Sequence, residues 1–246
     1  MPPTKSTGRL IGIGVGPGDP ELMTLKALRM LRAAPVVAYY AGENKPGQAL
    51  SIVSCYLRDE QTLVPLIYPV TGRPPPPPFD YEGVMRAFYD QAAQQLAAYL
   101  EAGTDVAVLC EGDPLFYGSF MYLHDRLAER FTTEVVPGVC SVVAGAAAVR
   151  TPLVYRDQAL LIVAGTLPEA DLRAKLEQAD AAVVMKLGSQ FDKVRRVIEQ
   201  LGLGERALYV EHASMTSERV LPFAEVDPST VPYFAMVLIP GIRWQR

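Results

Sequence analysis

Five short segments hold the residue types and spacings with which this chain could do chemistry. The first is Gly12-Ile-Gly-Val-Gly-Pro-Gly-Asp-Pro20, between an apolar stretch and a helical pattern. Glycines there let backbone turn sharply and pass close to a ligand. The spacing fails the dinucleotide fingerprint, because Pro17 or Asp19 stands where the third glycine is required, and no P-loop lysine follows. Asp19 would also oppose a pyrophosphate. The second segment is Cys110-Glu-Gly-Asp-Pro-Leu-Phe-Tyr-Gly-Ser119. Pro114 biases Asp113 towards extended backbone, and Gly112 and Gly118 permit a bend between them. Glu111 and Asp113 read either as a helix cap with a solvated neighbour or as groups facing a ligand. The third, Val135-Val-Pro-Gly-Val-Cys-Ser141, is a Pro-Gly turn ending in a small polar residue. In the fourth, Val184–Gly188, Met185 reads as core strand. The fifth, Val210–Arg219, is a strand followed by a polar turn.

Alternating strands and helices must position these segments. Arg9–Val15 reads as a short apolar strand, and Pro20–Ala33 as one helix, with Leu22, Leu25, Leu28 and Leu31 at i+3 spacing. Pro35 stops it, and Val36–Tyr40 is a second strand. Gln48–Leu57 reads as helix and Thr62–Ile67 as strand. Thr71–Phe79 contains five consecutive prolines, so it is an extended loop, either a rigid surface connection or a lid. Asp80–Ala102 is a long helix closed by Gly103 at C′. Strand Asp105–Cys110, helix Phe120–Arg130, strand Thr133–Val136 and helix Val142–Val149 follow. Beyond these, strands at Ala159–Ala164, Ala181–Lys186, Ala207–Glu211 and Tyr233–Ile239 are interspersed with helices at Pro168–Gln178 and Phe191–Leu201. Strand–helix alternation throughout predicts an α/β class, divided near Pro137 into domains 8–136 and 137–246. Ligands of open parallel sheets bind at the carboxyl ends of strands, so the first two loops are expected to share one crevice.

Composition narrows the function classes. Of 246 residues half are apolar and a fifth charged, which suits a globular protein with a sizeable core. Net charge is −4 and no long basic run exists, so nucleic acid is not an expected partner. No stretch reaches the ~18–20 apolar residues of a membrane span, and the first nine residues lack an apolar signal core. A soluble cytoplasmic protein is expected. Cys55, Cys110 and Cys140 are widely spaced, and His124 and His212 are the only histidines, so no disulfide framework, zinc site or other protein-bound metal is expected.

Taken in order, GVGPGDPELMTLKA, EGDPLFYGS, VPGVCS, VVMKLG and VEHAS resemble the tetrapyrrole methylases, a family of methyltransferases that use S-adenosylmethionine (SAM). The resemblance spans roughly Gly8 to Ile239. It implies two α/β domains with SAM in the cleft between them, a homodimer, and S-adenosylhomocysteine as product. Within the family the strings look like the branch that methylates the C-20 meso carbon of precorrin-2 in cobalamin synthesis. By resemblance, SAM contacts fall on Pro17, Glu111, Gly112, Asp113, Phe116, Cys140, Ser141, Met185 and Ala213. Tyr40 stands where relatives acting on uroporphyrinogen have an acid, which disfavours that substrate. Cys140-Ser141 departs from the usual Thr-Ala or Ser-Ser, which puts the role of Cys140 in doubt.

The implied chemistry needs alignment of a carbon nucleophile with the methyl donor, and then removal of a proton from the methylated carbon. Tyr117 and Glu111 are the expected proton acceptors, ahead of Asp113. The acetate and propionate groups of a tetrapyrrole call for arginines, with Arg73, Arg86 and Arg150 as candidates. Rival readings are the same methylation on a cobalt-loaded substrate, methylation of another tetrapyrrole carbon or of a protein side chain, and a non-catalytic SAM- or tetrapyrrole-binding module.

Overall fold

The computed structural model describes residues 7–43, 45–71, 75 and 78–242. The chain divides into two compact units, Met1–Cys140 and Ser141–Arg246. No helix among the described residues is long and apolar enough to cross a membrane.

The first unit is built on five strands: β1 (Leu10–Gly14), β2 (Val36–Ala41), β3 (Thr62–Ile67), β4 (Val106–Cys110) and β5 (Thr133–Val136). They lie in the order β3-β2-β4-β1-β5, all parallel. Parallel sheets are covered on both faces, so their strands are apolar throughout, and β1 and β4 are buried at every position. Ile11 and Ile13 pack with α1 (Leu25–Ala33) and α2 (Gln48–Val53). Leu10 on the other face joins α3 (Tyr81–Glu101) and α4 (Phe120–Leu127). Gly12 shares that second face for a steric reason: a Cβ there would meet the Phe120 ring at 2.7 Å. Asp80 caps α3 by accepting from the Gly83 N–H at 2.9 Å. Gly103, at φ 85°, closes the helix as expected for a left-handed C′ residue.

The expected single helix over 20–33 is two elements. Asp19 caps a one-turn 3₁₀ segment, Pro20–Leu22, and Met23 is extended. Thr24 then starts α1 by accepting from the Ala27 N–H at 3.1 Å. The two caps interrupt the leucine spacing, and Leu25 is left 86% exposed while Ala27, Met30 and Leu31 supply the buried face.

The second unit contains α5 (Ser141–Ala148), β6 (Leu160–Ala164), α6 (Glu169–Glu177), β7 (Ala181–Met185), α7 (Phe191–Gln200), β8 (Leu208–Glu211), β9 (Arg219–Pro222) and β10 (Ala235–Ile239). Its sheet runs β6-β7-β10-β8-β9. Only β6 and β7 pair in parallel; β10 is antiparallel to β7 and β8, and β8 and β9 form an antiparallel pair. Strict strand–helix alternation therefore ends after α7. The strand missed by the alternating pattern, β9, is four residues long, mostly exposed and at the sheet edge. Phe191 anchors the core edge-on to Tyr209 and Phe223, with centroids 5.6 and 5.9 Å away.

Candidate active site

In the first unit, parallel pairing puts the carboxyl ends of β1, β4 and β5 at one edge of the sheet. The three loops that follow are the glycine-rich, Glu-Gly-Asp-Pro and Pro-Gly segments. They pack backbone against backbone. Gly16 and Gly112 form an isolated antiparallel bridge, with Gly112 N–H donating to Gly16 O at 2.8 Å and Gly16 N–H to Gly112 O at 3.3 Å. A Cβ on Gly138 would sit 2.0 Å from Gly112 O, and one on Gly14 would sit 2.5 Å from Gly138 N. Gly14 at the end of β1 and Gly112 and Gly138 from the two following loops thus meet where no side chain fits.

Asp113 clamps this junction. One carboxylate oxygen accepts from the Leu115 N–H at 2.9 Å, and the other from the Gly138 N–H at 3.0 Å. Its role in the structure is to tie the second loop to the third. Glu111 accepts from the Ala49 N–H in the first turn of α2 at 3.2 Å. The residue keeps open surface, but protein crowding around the carboxylate raises its pKa; the Ala49 N–H offsets part of that rise. Tyr117 is 43% exposed, sits edge-on to Phe116 at 5.0 Å, and holds φ 54°. Left-handed backbone at a non-glycine residue is a local cost that marks functional sites. Pro17 is buried, whereas Phe116 and Cys140 are partly exposed.

Beneath the second loop lies a hydroxyl cluster that sequence reasoning did not find. Ser119 Oγ meets Tyr68 Oη at 2.5 Å and accepts from Tyr89 Oη at 3.0 Å. Tyr40 stacks on Tyr68 with centroids 5.3 Å apart, and its buried hydroxyl has no hydrogen-bond partner among the described residues. Burial pushes that phenol well above its ordinary pKa. The recurrence of tyrosine at 40, 68 and 89 was the available sign, but nothing local linked positions so far apart in the chain.

In the second unit β7 and β8 both run antiparallel to β10, so their carboxyl ends share one edge. Met185 and Ala213 lie there, with Ala213 buried. Lys186, His212 and Ser214 beside them all hold positive φ, at 56°, 52° and 65°. The turn is tied by His212 N–H to Phe234 O at 2.7 Å, and by Ser214 N–H to Glu218 Oε2 at 2.6 Å. Ser141, the remaining residue matched to SAM contact, opens α5. Behind this edge Glu211 is buried and fully used: Tyr209 donates to it at 2.6 Å and Arg219 at 2.9 Å. An acid at the end of an apolar strand was the available sign of that pair. A recess of about 600 Å³ beside Gly188 includes Asp192 and Asp227, but the Asp227 carboxylate caps Ser229, whose N–H and hydroxyl hold its pKa below the ordinary value.

Of the expected substrate arginines, Arg73 lies outside the described residues. Arg86 is exposed in the second turn of α3. Arg150 follows α5, exposed, with φ 51°.

The charge pattern tests which ligand these loops suit. Residues 12–20, 110–119 and 135–141 contain no lysine or arginine, and they carry Asp19, Glu111 and Asp113. Such a surface repels phosphate and suits a cation. SAM, with a sulfonium and an ammonium, fits this donor set.

The sequence model of the family described as Tetrapyrrole (Corrin/Porphyrin) Methylases matches residues 9–227. The chain is 49% identical to the cobalamin biosynthesis protein CobIJ of Mycobacterium tuberculosis over 96% of its own length and 46% of that protein. It thus spans about half the length of that relative. It is 43% identical to the precorrin-2 C(20)-methyltransferase of Sinorhizobium sp over 95% of this chain and 96% of that one. The uroporphyrin-III C-methyl transferase of Thermus thermophilus, complexed with S-adenyl homocysteine, superposes with TM-score 0.65 at 27% identity, covering 94% of this chain and 97% of that chain.

Proposed function

The chain belongs to the tetrapyrrole methylase family, and from that premise we propose that it transfers the methyl group of SAM to C-20 of precorrin-2, giving precorrin-3A in cobalamin synthesis. The observation that carries the substrate assignment is the 43% identity, over nearly the full length of both chains, to a protein named for that reaction. The cation-suited loops at the carboxyl edge of the first sheet support SAM as donor.

Bound SAM supplies an electrophilic methyl on a sulfonium leaving group. The chain's own work is to bind, orient and manage a proton. In the first unit Pro17, Glu111, Gly112, Asp113, Phe116 and Cys140 are the proposed SAM residues; in the second, Ser141, Met185 and Ala213 are. Asp113 does so through the loop, since both its oxygens already accept backbone N–H groups. Fixing donor and acceptor in line can lower the barrier by several kcal/mol, up to ~7–11 in ideal cases. After transfer the methylated carbon must lose a proton. Glu111 and Tyr117 are the proposed acceptors, and the raised pKa of Glu111 makes it the stronger base of its type. Arg86 and Arg150 are proposed to meet substrate carboxylates. A cytoplasmic homodimer completes the reading.

The test is incubation with SAM and either metal-free or cobalt-loaded precorrin-2, followed by mass and NMR location of the added methyl. S-adenosylhomocysteine released with a C-20 methyl on the metal-free acceptor supports the proposal. Transfer only to the cobalt form moves the substrate, a methyl at another carbon overturns the regiochemistry, and SAM binding without turnover leaves a binding module.

A further inference from the structure

The two arginines offered to the substrate are not equivalent. Arg86 sits on an open helix surface. Arg150 sits at the closing turn of α5, where Val149, Arg150 and Thr151 N–H groups already satisfy the Gly145, Ala147 and Ala146 carbonyls. Its backbone is left-handed at φ 51°, a conformation glycine adopts without penalty and arginine does not. The chain therefore keeps a long cationic side chain where helix termination alone would favour none. That side chain is not spent internally. Its guanidinium makes no hydrogen bond, ion pair or ring contact among the described residues, and the residue is exposed.

Beside it is a recess of about 390 Å³ lined by Arg150, Thr151, Pro152, Tyr155, Pro240 and Gly241. No acidic residue is among the described residues that line it, so the positive charge has no counter-ion in those walls. The walls are preset. Gly241 N–H donates to Leu153 O at 2.8 Å, Tyr155 N–H to Gln158 Oε1 at 2.9 Å, and Gln158 Nε2 to Ile242 O at 2.8 Å. The turn after α5 and the segment after β10 are thereby laced together before any ligand arrives, and preorganisation of this kind lowers the cost of binding.

We propose that this recess is a carboxylate-binding subsite within the second unit, with Arg150 as its anchor. The ligand class is a carboxylate on a short aliphatic arm, which a guanidinium meets with two parallel hydrogen bonds. The proposal rests on the tetrapyrrole reading, since the macrocycle's acetate and propionate groups are the carboxylates it would take.

The experiment uses the full chain, saturated with S-adenosylhomocysteine, and a stable polycarboxylate porphyrin as probe, beside its fully esterified form. Arg150→Gly is expected to weaken porphyrin binding by about tenfold, the size of one charge-assisted hydrogen bond. Its melting temperature should be unchanged or raised by about 2–4 °C as the backbone strain is released. Affinity for S-adenosylhomocysteine should stay within about twofold, and the ester should bind wild type and variant equally. Arg150→Lys, which keeps charge but loses the fork, should fall between. Porphyrin affinity of Arg150→Gly within about twofold of wild type overturns the subsite, as does an ester that binds wild type as well as the free acid. If wild type holds S-adenosylhomocysteine but no porphyrin of either form, the tetrapyrrole reading itself fails and the subsite with it.

Discussion

The two sheet edges solve the same problem with opposite backbone chemistry. In the first unit, Gly14, Gly112 and Gly138 let the end of β1 and two loops touch main chain to main chain, and a side chain at the tightest point would sit 2.0 Å from a carbonyl oxygen. In the second, Lys186, His212 and Ser214 hold left-handed backbone with side chains present. The first edge is fixed by the absence of side chains, so its geometry is stiff. The second retains side chains at a conformational cost of order 1–3 kcal/mol each, which suits residues whose side chains or strained turns are themselves used. A rigid loop junction and a strained rim call for opposite responses to substitution.

The largest effect is expected at the glycine junction. Gly138→Ala places a methyl against two backbone segments that cannot both yield, so a loss of about 3 kcal/mol or more is expected, together with loss of SAM affinity. Urea unfolding and calorimetry with S-adenosylhomocysteine measure both. A variant with wild-type midpoint and affinity would mean that the junction is not rigid. Next comes its clamp. Asp113→Ala strips the acceptor from the Leu115 and Gly138 N–H groups and should cost about 2–3 kcal/mol. Asp113→Asn keeps one carbonyl acceptor and should lose roughly half as much. Equal losses would show that charge, not the bridging geometry, holds the loops.

The legibility of these features follows their range along the chain. Loop positions were readable because glycine and proline act locally: the Gly12–Pro20, Cys110–Ser119 and Pro137-Gly138 turns all follow strands. Asp113 clamping Gly138 was not readable, since its partner lies 25 residues away. The leucine spacing of 22–31 pointed to one helix because periodicity does not register Asp19 and Thr24 as two successive caps. Strand β9 was missed because four mostly exposed residues carry little pattern; its register against β8, with Arg219 opposite Glu211, is a tertiary fact. Positive φ at Lys186 and Ser214 leaves no mark in residue type, and a single histidine at 212 is a weak one, which is why the strained rim was invisible while the glycine junction was not.

The rim should answer with a smaller change of opposite sign. Ser214→Gly removes the penalty of φ 65° while raising the entropy of the unfolded chain, so the net effect is a gain of about 0.5–1 kcal/mol at most. Thermal unfolding reads it directly. A clear loss of stability would mean that the Ser214 side chain contributes contacts outweighing the strain, and the contrast between the two edges would narrow to the glycines alone.

The smallest stability effect, and the one that depends on pH, belongs to Glu111. Its folded pKa is raised, first by desolvation, with the Ala49 N–H opposing. A carboxyl in that position binds its proton more tightly folded than unfolded. The penalty is absent below the unfolded value, grows as pH rises between the unfolded and folded values, and is constant above both. Glu111→Gln keeps an acceptor for the Ala49 N–H and removes the charge. It should therefore match wild type in acid and be the more stable protein above that window. Asp105 behaves in the opposite sense. Burial raises its pKa, but hydrogen bonds and charge from Arg9 outweigh that and leave it lowered, so its contribution is lost as pH falls. Unfolding midpoints measured across the acid range separate the two slopes. The same Gln variant should turn over more slowly if Glu111 accepts the proton, by up to ~10²–10⁴-fold where that step limits the rate. A gain in stability above the window with unchanged turnover would keep Glu111 as a desolvated loop residue and leave proton removal to Tyr117.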